Sequence, residues 1–283
     1  MSIYPSISLV RIHNNETLQG SIECEELLRT LANSKSIALE SLEVFEQPIL
    51  LGTSEFGQPR RTVIKRRSNQ RKLEILWSSH LKEKFLKTRT LKSLIGQILY
   101  VSNVCFSSRT LSAELRILQI ERFVTAKHIE GLRRTASSGA SLAVVLEADA
   151  TVHDYSLHKL DEVLDILSMN KDHSVYFNIA GGLGYAEIGI HRLARKFSDS
   201  MDVFEIPVTN TSCAYAVTEN FIRGFLAYID TNDGVLDFGV DWVFNSYFMD
   251  KRDEVICIHS NPPALSHGSF TGASESWNPK NRS

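Results

Sequence analysis

Two carboxylates, Glu147 and Asp149, stand two residues apart directly after the short apolar run 142–146 (LAVVL). An apolar run of this length is typical of a strand buried on both faces, and open α/β sheets bind ligands at the carboxyl ends of such strands. Residues two apart on an extended backbone point to the same side. The pair therefore suits Mg²⁺ or Mn²⁺, which in turn would hold a diphosphate. The alternative is that the acids merely mark where a strand meets water, and spacing alone does not exclude it.

Other residues with chemical potential are less specific. Gly181, Gly182 and Gly184 would let the backbone approach a ligand closely, but they lack the G-x-G-x-x-G spacing of a dinucleotide site. His128 falls within a helical pattern, where we interpret it as a structural or substrate-orienting residue. The four cysteines are scattered without a CxxC pair, which indicates reduced, mostly buried thiols of a cytosolic protein and neither a disulfide framework nor a zinc site.

The elements that must position these residues alternate between strands and helices. Apolar runs predict five strands, over 7–12, 142–146, 175–179, 214–217 and 255–258. Helical spacing predicts one helix from Ser21 and one from Leu111 to about Arg134, which the run 137–139 (SSG) stops. It predicts another with an apolar face of Leu157, Leu160, Leu164 and Leu167. Thr218 can cap a further helix. The alternation predicts an α/β fold with a mostly parallel sheet flanked by helices.

Composition excludes several classes of protein. The chain of 283 residues is 43% hydrophobic and 23% charged, which is ordinary for a globular chain and excludes wholesale disorder, collagen and coiled coils. No run approaches the roughly 18–20 apolar residues of a membrane-spanning helix. The first fifteen residues lack the basic and apolar regions of a secretory signal, so the sequence predicts a cytoplasmic protein.

Charge is distributed unevenly along the chain. Residues 60–92, which we call the basic segment, contain twelve Lys and Arg and two Glu, so they carry +10 while the rest of the chain carries −12. Such asymmetry usually marks an anionic partner. The interleaved leucines and aromatics predict one or two amphipathic helices with cationic outer faces, and a merely solvated face is the plainer interpretation.

The region from Arg122 to Ala150, a His-bearing helix followed by a turn and an apolar strand that closes on L-E-x-D-A, resembles glycosyltransferase family 25 of lipooligosaccharide biosynthesis. The run 210–217 (NTSCAYAV) is similar to the family's small-residue turn and strand, and 240–242 is similar to its V-D-W. The resemblance covers roughly residues 110–270. Ala148 replaces the middle acid of the family's E-D-D, and 11–15 (RIHNN) replaces its usual N-L-x-R opening.

The resemblance implies one GT-A-like domain over 1–270, with 40–100 as a basic helical insertion and 271–283 as an irregular tail. A nucleotide-sugar donor would lie at the carboxyl edge of the sheet with Mn²⁺ or Mg²⁺ on its diphosphate, and a glycan or glycolipid would be the acceptor. The implied donor-binding residues are Arg11, His13, Asn14, Glu147 and Asp149. The implied metal ligands are Asp149, Glu147 and His267, the last from a late Gly/Ser loop where a surface histidine is the alternative.

The acceptor side has candidates in the V-D-W motif. Asp241 is the candidate base for the acceptor hydroxyl, with Asp237 as the fallback, and a helix N-cap is an equally good interpretation of Asp241. Tyr215 and Trp242 are candidate acceptor contacts, although a Trp in such a run more often packs in the core.

Two other functions compete with sugar transfer. A nucleic-acid-binding protein would use the basic segment, but few aromatic residues accompany it and no known binding motif does, so we expect no nucleic-acid partner. A catalytically inactive scaffold of the same fold is suggested by Ala148. Within the favoured interpretation, Arg60 to Lys92 form a patch for an anionic membrane surface or a charged glycolipid, which makes the protein peripheral at the inner face of the membrane.

Overall fold

The structure is a computed structural model, and it describes most of the chain outside the basic segment. The described residues are 6–12, 19–44, 124–181, 193–199, 201–204, 208–209, 211–232 and 239–268. The predictions for 40–100 beyond residue 44, for the helix before residue 124, and for the tail 271–283 lie outside them. The same holds for His13, Asn14, Asp237, Gly182 and Gly184.

A mixed sheet of eight described strands forms the centre of the fold. The strands are β1 (Ile7–Ile12), β2 (Leu39–Val44), β3 (Leu142–Glu147), β5 (Ser174–Asn178), β6 (Leu193–Ser198), β7 (Met201–Phe204), β8 (Ala214–Thr218) and β9 (Val255–Ser260). Their spatial order is β2-β1-β3-β8-β5-β9-β7-β6, and six of these strands run in one direction while β7 and β8 run in the other.

Helices cover both faces of this sheet. They are α1 (Gln19–Ser34), α2 (described over 124–138), α3 (Ser156–Met169), α4 (Glu219–Thr231) and α5 (Val240–Asp250). Alternate residues of β3 enter two separate cores: Val144 packs with α1 and α3, whereas Val145 packs with α2, α4 and α5. The α/β class and the helix-flanked sheet are thus confirmed, and the fold is compatible with a Rossmann-like architecture.

All five predicted strands are present, but five others were not predicted. The strands β2, β6 and β7 carry charged residues along short runs, so their hydrophobic pattern is weak. The remaining two, β4 (Ala150–Thr151) and β10 (Ser266–His267), form a two-residue antiparallel ribbon. No hydrophobic pattern marks a pair this short. The short strand β10 follows Pro262 in a stretch where the sequence predicted no strand.

The predicted apolar face of α3 needs one correction. Leu160, Leu164 and Leu167 are buried, but Leu157 is 39% exposed. Ser156 is buried at the start of the helix, and its hydroxyl donates to the carbonyl oxygen of Ala264 (2.5 Å) and accepts from the backbone N–H of His153 (2.8 Å). These bonds tie the start of α3 to the segment that leads into β10.

The expected end of α2 and the expected cap of α4 are both confirmed. Gly139 follows α2 with φ +73°, a left-handed conformation that glycine adopts without steric cost. Thr218 caps α4, and its buried hydroxyl accepts from the N–H of Phe221 (3.4 Å) and of Val175 (3.0 Å) and donates to the carbonyl oxygen of His173 (2.7 Å). One hydroxyl thus joins the start of α4 to the start of β5.

The substitution Thr218→Val should lower the free energy of unfolding by about 2–3 kcal/mol, because it removes a helix cap and leaves buried backbone groups without their partner. Thr218→Ser retains the hydroxyl and should lower the free energy of unfolding by less than Thr218→Val does. The control Thr231→Val, at the exposed end of α4, should change stability by less than about 0.5 kcal/mol. Urea unfolding measures all three, and equal midpoints for Thr218→Val and Thr231→Val would contradict this role of the cap.

Candidate functional site

The site is formed where β8 runs antiparallel to β3. Because the strands run in opposite directions, the residues before β8 lie beside the residues that end β3. Leu146 pairs with Ala214, and the backbone N–H of Glu147 donates to the carbonyl oxygen of Cys213 at 2.7 Å. This register brings residues 212–213 next to the carboxylates at 147 and 149, although more than sixty positions separate them in sequence.

The ribbon of β4 and β10 brings a third segment to the same place. Ala150 pairs with His267, and the N–H of Gly268 donates to the backbone carbonyl of Asp149 at 2.7 Å. The Nε2 atom of His153 lies 2.5 Å from the hydroxyl of Ser266, which fixes the other side of β10. The late loop is therefore bound to the turn that follows β3.

Three side chains converge at this junction: Asp149, Cys213 and His267. One oxygen of Asp149 (Oδ2) lies 3.1 Å from Nδ1 of His267, and the other (Oδ1) accepts a weak bond from the thiol of Cys213 at 3.5 Å. One potential metal-binding atom from each residue lies within 4.8 Å of the other two. Asp149 and His267 are about one-fifth exposed, whereas Cys213 is buried. The prediction that His267 lies within reach of Asp149 is confirmed.

Glu147 faces different partners. Its Oε1 atom accepts from Nε2 of His128 at 3.0 Å and from the hydroxyl of Ser212 at 3.4 Å. A carboxylate only accepts, so Nε2 of His128 carries the proton. The other ring nitrogen, Nδ1, lies 2.9 Å from the hydroxyl of Tyr215. A buried chain of hydrogen bonds thus runs from Tyr215 through His128 to Glu147, so His128 orients Glu147 at the end of β3.

The spacing of Glu147 and Asp149 predicted that both carboxylates would face one cation, but the two side chains contact different partners. The strand β3 ends at Glu147, and Ala148 and Asp149 form a turn, so the alternation of side chains along a strand does not extend to Asp149. Among the described residues, the group with metal-binding spacing contains Cys213 in place of Glu147. The sequence analysis missed Cys213 because the direction of β8 relative to β3 cannot be deduced from the pattern of either strand.

The two carboxylates still influence the same groups. Burial raises the pKa of Glu147, but the hydrogen bond and charge of His128, together with His267 and Ser212, outweigh it and hold the net pKa below its usual value. Burial raises the pKa of the Cys213 thiol well above its usual value, and the negative charges of Asp149 and Glu147 raise it further. The thiol therefore remains protonated near neutral pH unless a cation joins the cluster.

Two residues expected to bind ligands have structural partners. Arg11, a predicted donor contact, forms an ion pair with Glu25 of α1, with Nη1 and Oε2 2.7 Å apart. Tyr215, a predicted acceptor contact, has no exposed surface and stacks on Tyr176 within the core of α2, α4 and α5. The prediction that Tyr215 contacts the acceptor is therefore wrong. Tyr215 instead lies in the core and contacts the site through its hydrogen bond to His128.

The V-D-W motif lies in the first turn of α5. The N-cap of this helix is Gly239, so Asp241 is two positions inside the helix, where a carboxylate interacts favourably with the helix dipole. Its Oδ1 accepts from the N–H of Trp242 at 2.9 Å, and the side chain is partly exposed. Trp242 is also partly exposed and packs at the edge of the core.

Two amide side chains, buried Asn178 and partly exposed Asn245, position the chain that leads into β8. Asn178, at the end of β5, donates to the hydroxyl of Thr209 and to the carbonyl oxygen of Thr211, both at 3.1 Å. Asn245 of α5 exchanges two hydrogen bonds of 2.8 Å with the backbone of Thr209. These side chains fix the approach to Cys213, and the sequence analysis had assigned them no role.

No protein-family model matches the chain, and no curated protein matches it significantly. Within the described ranges, no helix is both long enough and apolar enough to cross a membrane.

Two of the three donors at the junction are of types that bind divalent cations such as Mn²⁺. Asp149 and His267 supply an oxygen and an imidazole nitrogen from the partly exposed rim of the sheet, and both types of atom bind Mn²⁺. The third donor in the cluster is a sulfur, which hard cations do not prefer, and Glu147 is bonded to His128 and Ser212. The donors thus fit a cation, with a composition that differs from the predicted all-oxygen-and-imidazole set.

The substitution Glu147→Gln should lower the free energy of unfolding at pH 7 by about 1.5–3 kcal/mol, since a hydrogen bond to a charged group is lost beside a buried histidine. The folded-state pKa of Glu147 lies below the unfolded value of about 4.3. Its stabilisation is therefore present above that value and lost as the pH falls through the folded pKa. The difference in the free energy of unfolding between wild type and Glu147→Gln should therefore become smaller as the pH falls.

The control for this prediction is Glu130→Gln, which removes an exposed partner of Arg134 and should cost less than about 1 kcal/mol. Urea unfolding between pH 7 and pH 3 measures both differences. A cost for Glu147→Gln that matches the control, or that grows in acid, would contradict the proposed anchoring by His128.

Proposed function

We propose that the protein is a glycosyltransferase with a GT-A-like fold that moves a sugar from a nucleotide-sugar donor to a glycan or glycolipid, with a divalent cation, Mn²⁺ or Mg²⁺, at Asp149 and His267. The observation that carries the proposal is the 3.1 Å contact between Asp149 and His267. The family resemblance implied that these residues, more than a hundred positions apart, would meet. Their position at the carboxyl end of β3 is where α/β sheets commonly bind ligands.

The donor would lie across the ends of β1 and β3, which run parallel, with Ile12 beside Glu147. Asp149 and His267 would orient the diphosphate through the cation, which when bound offsets the charge that develops on the departing nucleotide. Glu147, held by His128, adds negative charge at the same edge without leaving its partners. Arg11, paired with Glu25, would face the donor from β1.

Asp241 is the proposed base. Its carboxylate lies in the first turn of α5 and is partly exposed, so an acceptor hydroxyl that enters from solvent would reach it. The base would remove the hydroxyl proton as the acceptor oxygen attacks the anomeric carbon. In this proposal the partly exposed Trp242 next to it would contact the sugar ring.

A membrane-bound acceptor suits the basic segment. Twelve cationic side chains within residues 60–92 would hold the protein at an anionic surface or a charged glycolipid. In this proposal the protein acts at the cytoplasmic face of the membrane during surface polysaccharide assembly, with no nucleic-acid partner.

A thermal-shift screen tests the proposal. The correct nucleotide or nucleotide sugar with Mn²⁺ should raise the melting temperature, because a ligand at about 100-fold its Kd stabilises the folded state by about 2.7 kcal/mol. EDTA and the substitution Asp149→Ala should each abolish the shift. The control Asp199→Ala, at a fully exposed residue outside the cluster, should retain it. If no nucleotide shifts the melting temperature and RNA or DNA does, the nucleic-acid alternative is correct.

The substitution Asp241→Asn should reduce turnover by about 10²-fold or more, since general-base catalysis contributes about 10²–10⁴-fold. Donor affinity should stay nearly unchanged, because Asp241 acts on the acceptor. Steady-state kinetics with the donor identified in the screen measures both quantities. Unchanged turnover would remove Asp241 from the mechanism, and wild type that binds donor without transferring it would favour the inactive scaffold.

A further inference from the structure

The cluster of Asp149, Cys213 and His267 contains a donor atom that the proposed function does not use. The sulfur of Cys213 comes from the chain before β8, whereas the oxygen and the nitrogen come from the turn after β3 and from β10. Each donor is thus held by a separate part of the fold. Cysteine spacing in the sequence predicted no zinc site, because the chain has no CxxC pair. Spacing does not detect a site in which a single cysteine lies near ligands that are distant in sequence.

The separations fit a tetrahedral ion. Bonds of about 2.3 Å to sulfur and about 2.0–2.1 Å to nitrogen or oxygen place a sulfur and an oxygen ligand about 3.5 Å apart, and a nitrogen and an oxygen ligand about 3.3–3.4 Å apart. The thiol of Cys213 and Oδ1 of Asp149 are 3.5 Å apart, and Oδ2 of Asp149 and Nδ1 of His267 are 3.1 Å apart. These two distances involve different oxygens of Asp149. One donor atom of each of the three residues lies within 4.8 Å of the other two, so the three donors are close enough for one ion to draw them together.

We propose that Asp149, Cys213 and His267 bind a thiophilic divalent ion of the Zn²⁺ class, and that Cys213 makes the site select such an ion over Mn²⁺ and Mg²⁺. Thiolate ligands favour Zn²⁺, whereas Mg²⁺ and Mn²⁺ prefer oxygen. Glu147, the third ligand that the family resemblance implied, is bonded to His128 and Ser212. The role of this ion in sugar transfer rests on the proposed function, in which it would replace Mn²⁺ or Mg²⁺ at Asp149 and His267, while the coordination itself is a property of the chain alone.

The surroundings of Cys213 support coordination. A carboxylate oxygen of Asp149 lies 3.5 Å from the sulfur of Cys213, so a cation at the junction would meet negative charge beside the sulfur. A bound cation favours the thiolate over the thiol, and the thiol proton passes to solvent. Three protein ligands leave a fourth position for water or a phosphate oxygen on the exposed side, where Asp149 and His267 reach the surface.

Competition titrations test the selectivity on the full chain after chelator treatment. Zn²⁺, Co²⁺ and Mn²⁺ are titrated against a chromophoric chelator for wild type, Cys213→Ser and the control Cys257→Ser, whose buried thiol lies beside His259 in the opposite core. Cys213→Ser should lower the ratio of Zn²⁺ to Mn²⁺ affinity by at least about 10-fold, because loss of even an outer partner of a metal ligand costs about 10–100-fold. The control should keep the wild-type ratio.

The Co²⁺ form of the wild-type protein gives a readout that does not depend on any variant. A thiolate bound to Co²⁺ produces a near-ultraviolet charge-transfer band, which should appear in wild type and in Cys257→Ser and be absent in Cys213→Ser. An unchanged Zn²⁺ to Mn²⁺ ratio in a folded Cys213→Ser protein, or a wild-type Co²⁺ spectrum without the band, would overturn the inference.

The same samples separate this inference from the proposed function. A charge-transfer band in a protein that no nucleotide stabilises would support the metal site and reject sugar transfer. Nucleotide stabilisation that requires Mn²⁺, in a protein that shows no sulfur ligation, would support sugar transfer and reject the role of Cys213.

Discussion

The site depends on the reversal of a single strand. Because β8 runs against its neighbours β3 and β5, its beginning lies at the edge of the sheet where β3 ends. The bond between the N–H of Glu147 and the carbonyl oxygen of Cys213 fixes that register. With a parallel strand in this position, residues 212–213 would lie at the other edge, and neither the thiol nor the Ser212 hydroxyl would reach the carboxylates.

The rest of the fold holds this junction from both sides of the sheet. On one side, Ser156 of α3 and the β4–β10 ribbon bind the late segment to the turn after β3. On the other, Tyr215 and His128 form a buried polar chain that ends on Glu147. Buried polar groups destabilise a core unless they are bonded, and here the bonds orient a carboxylate at the rim.

The sequence predicted the parts of the fold whose pattern is local. The strand over 142–146 and the cap at Thr218 each depend on a few neighbouring residues, as does the helix end at Gly139. Asp149 and His267 could be paired only because a family resemblance supplied the long-range link. Cys213 and the partners of Glu147 could not be predicted, since they depend on strand direction and on the exact residue where β3 ends, which no local pattern encodes.

The most direct test of this assembly is the zinc K-edge X-ray absorption spectrum of the full chain loaded with one equivalent of Zn²⁺. One sulfur scatterer at about 2.3 Å with nitrogen and oxygen scatterers at about 2.0–2.1 Å is the predicted result, because Cys213, His267 and Asp149 all meet at the edge that β8 creates. A spectrum with nitrogen and oxygen ligands alone would show that the three side chains do not form one cation site.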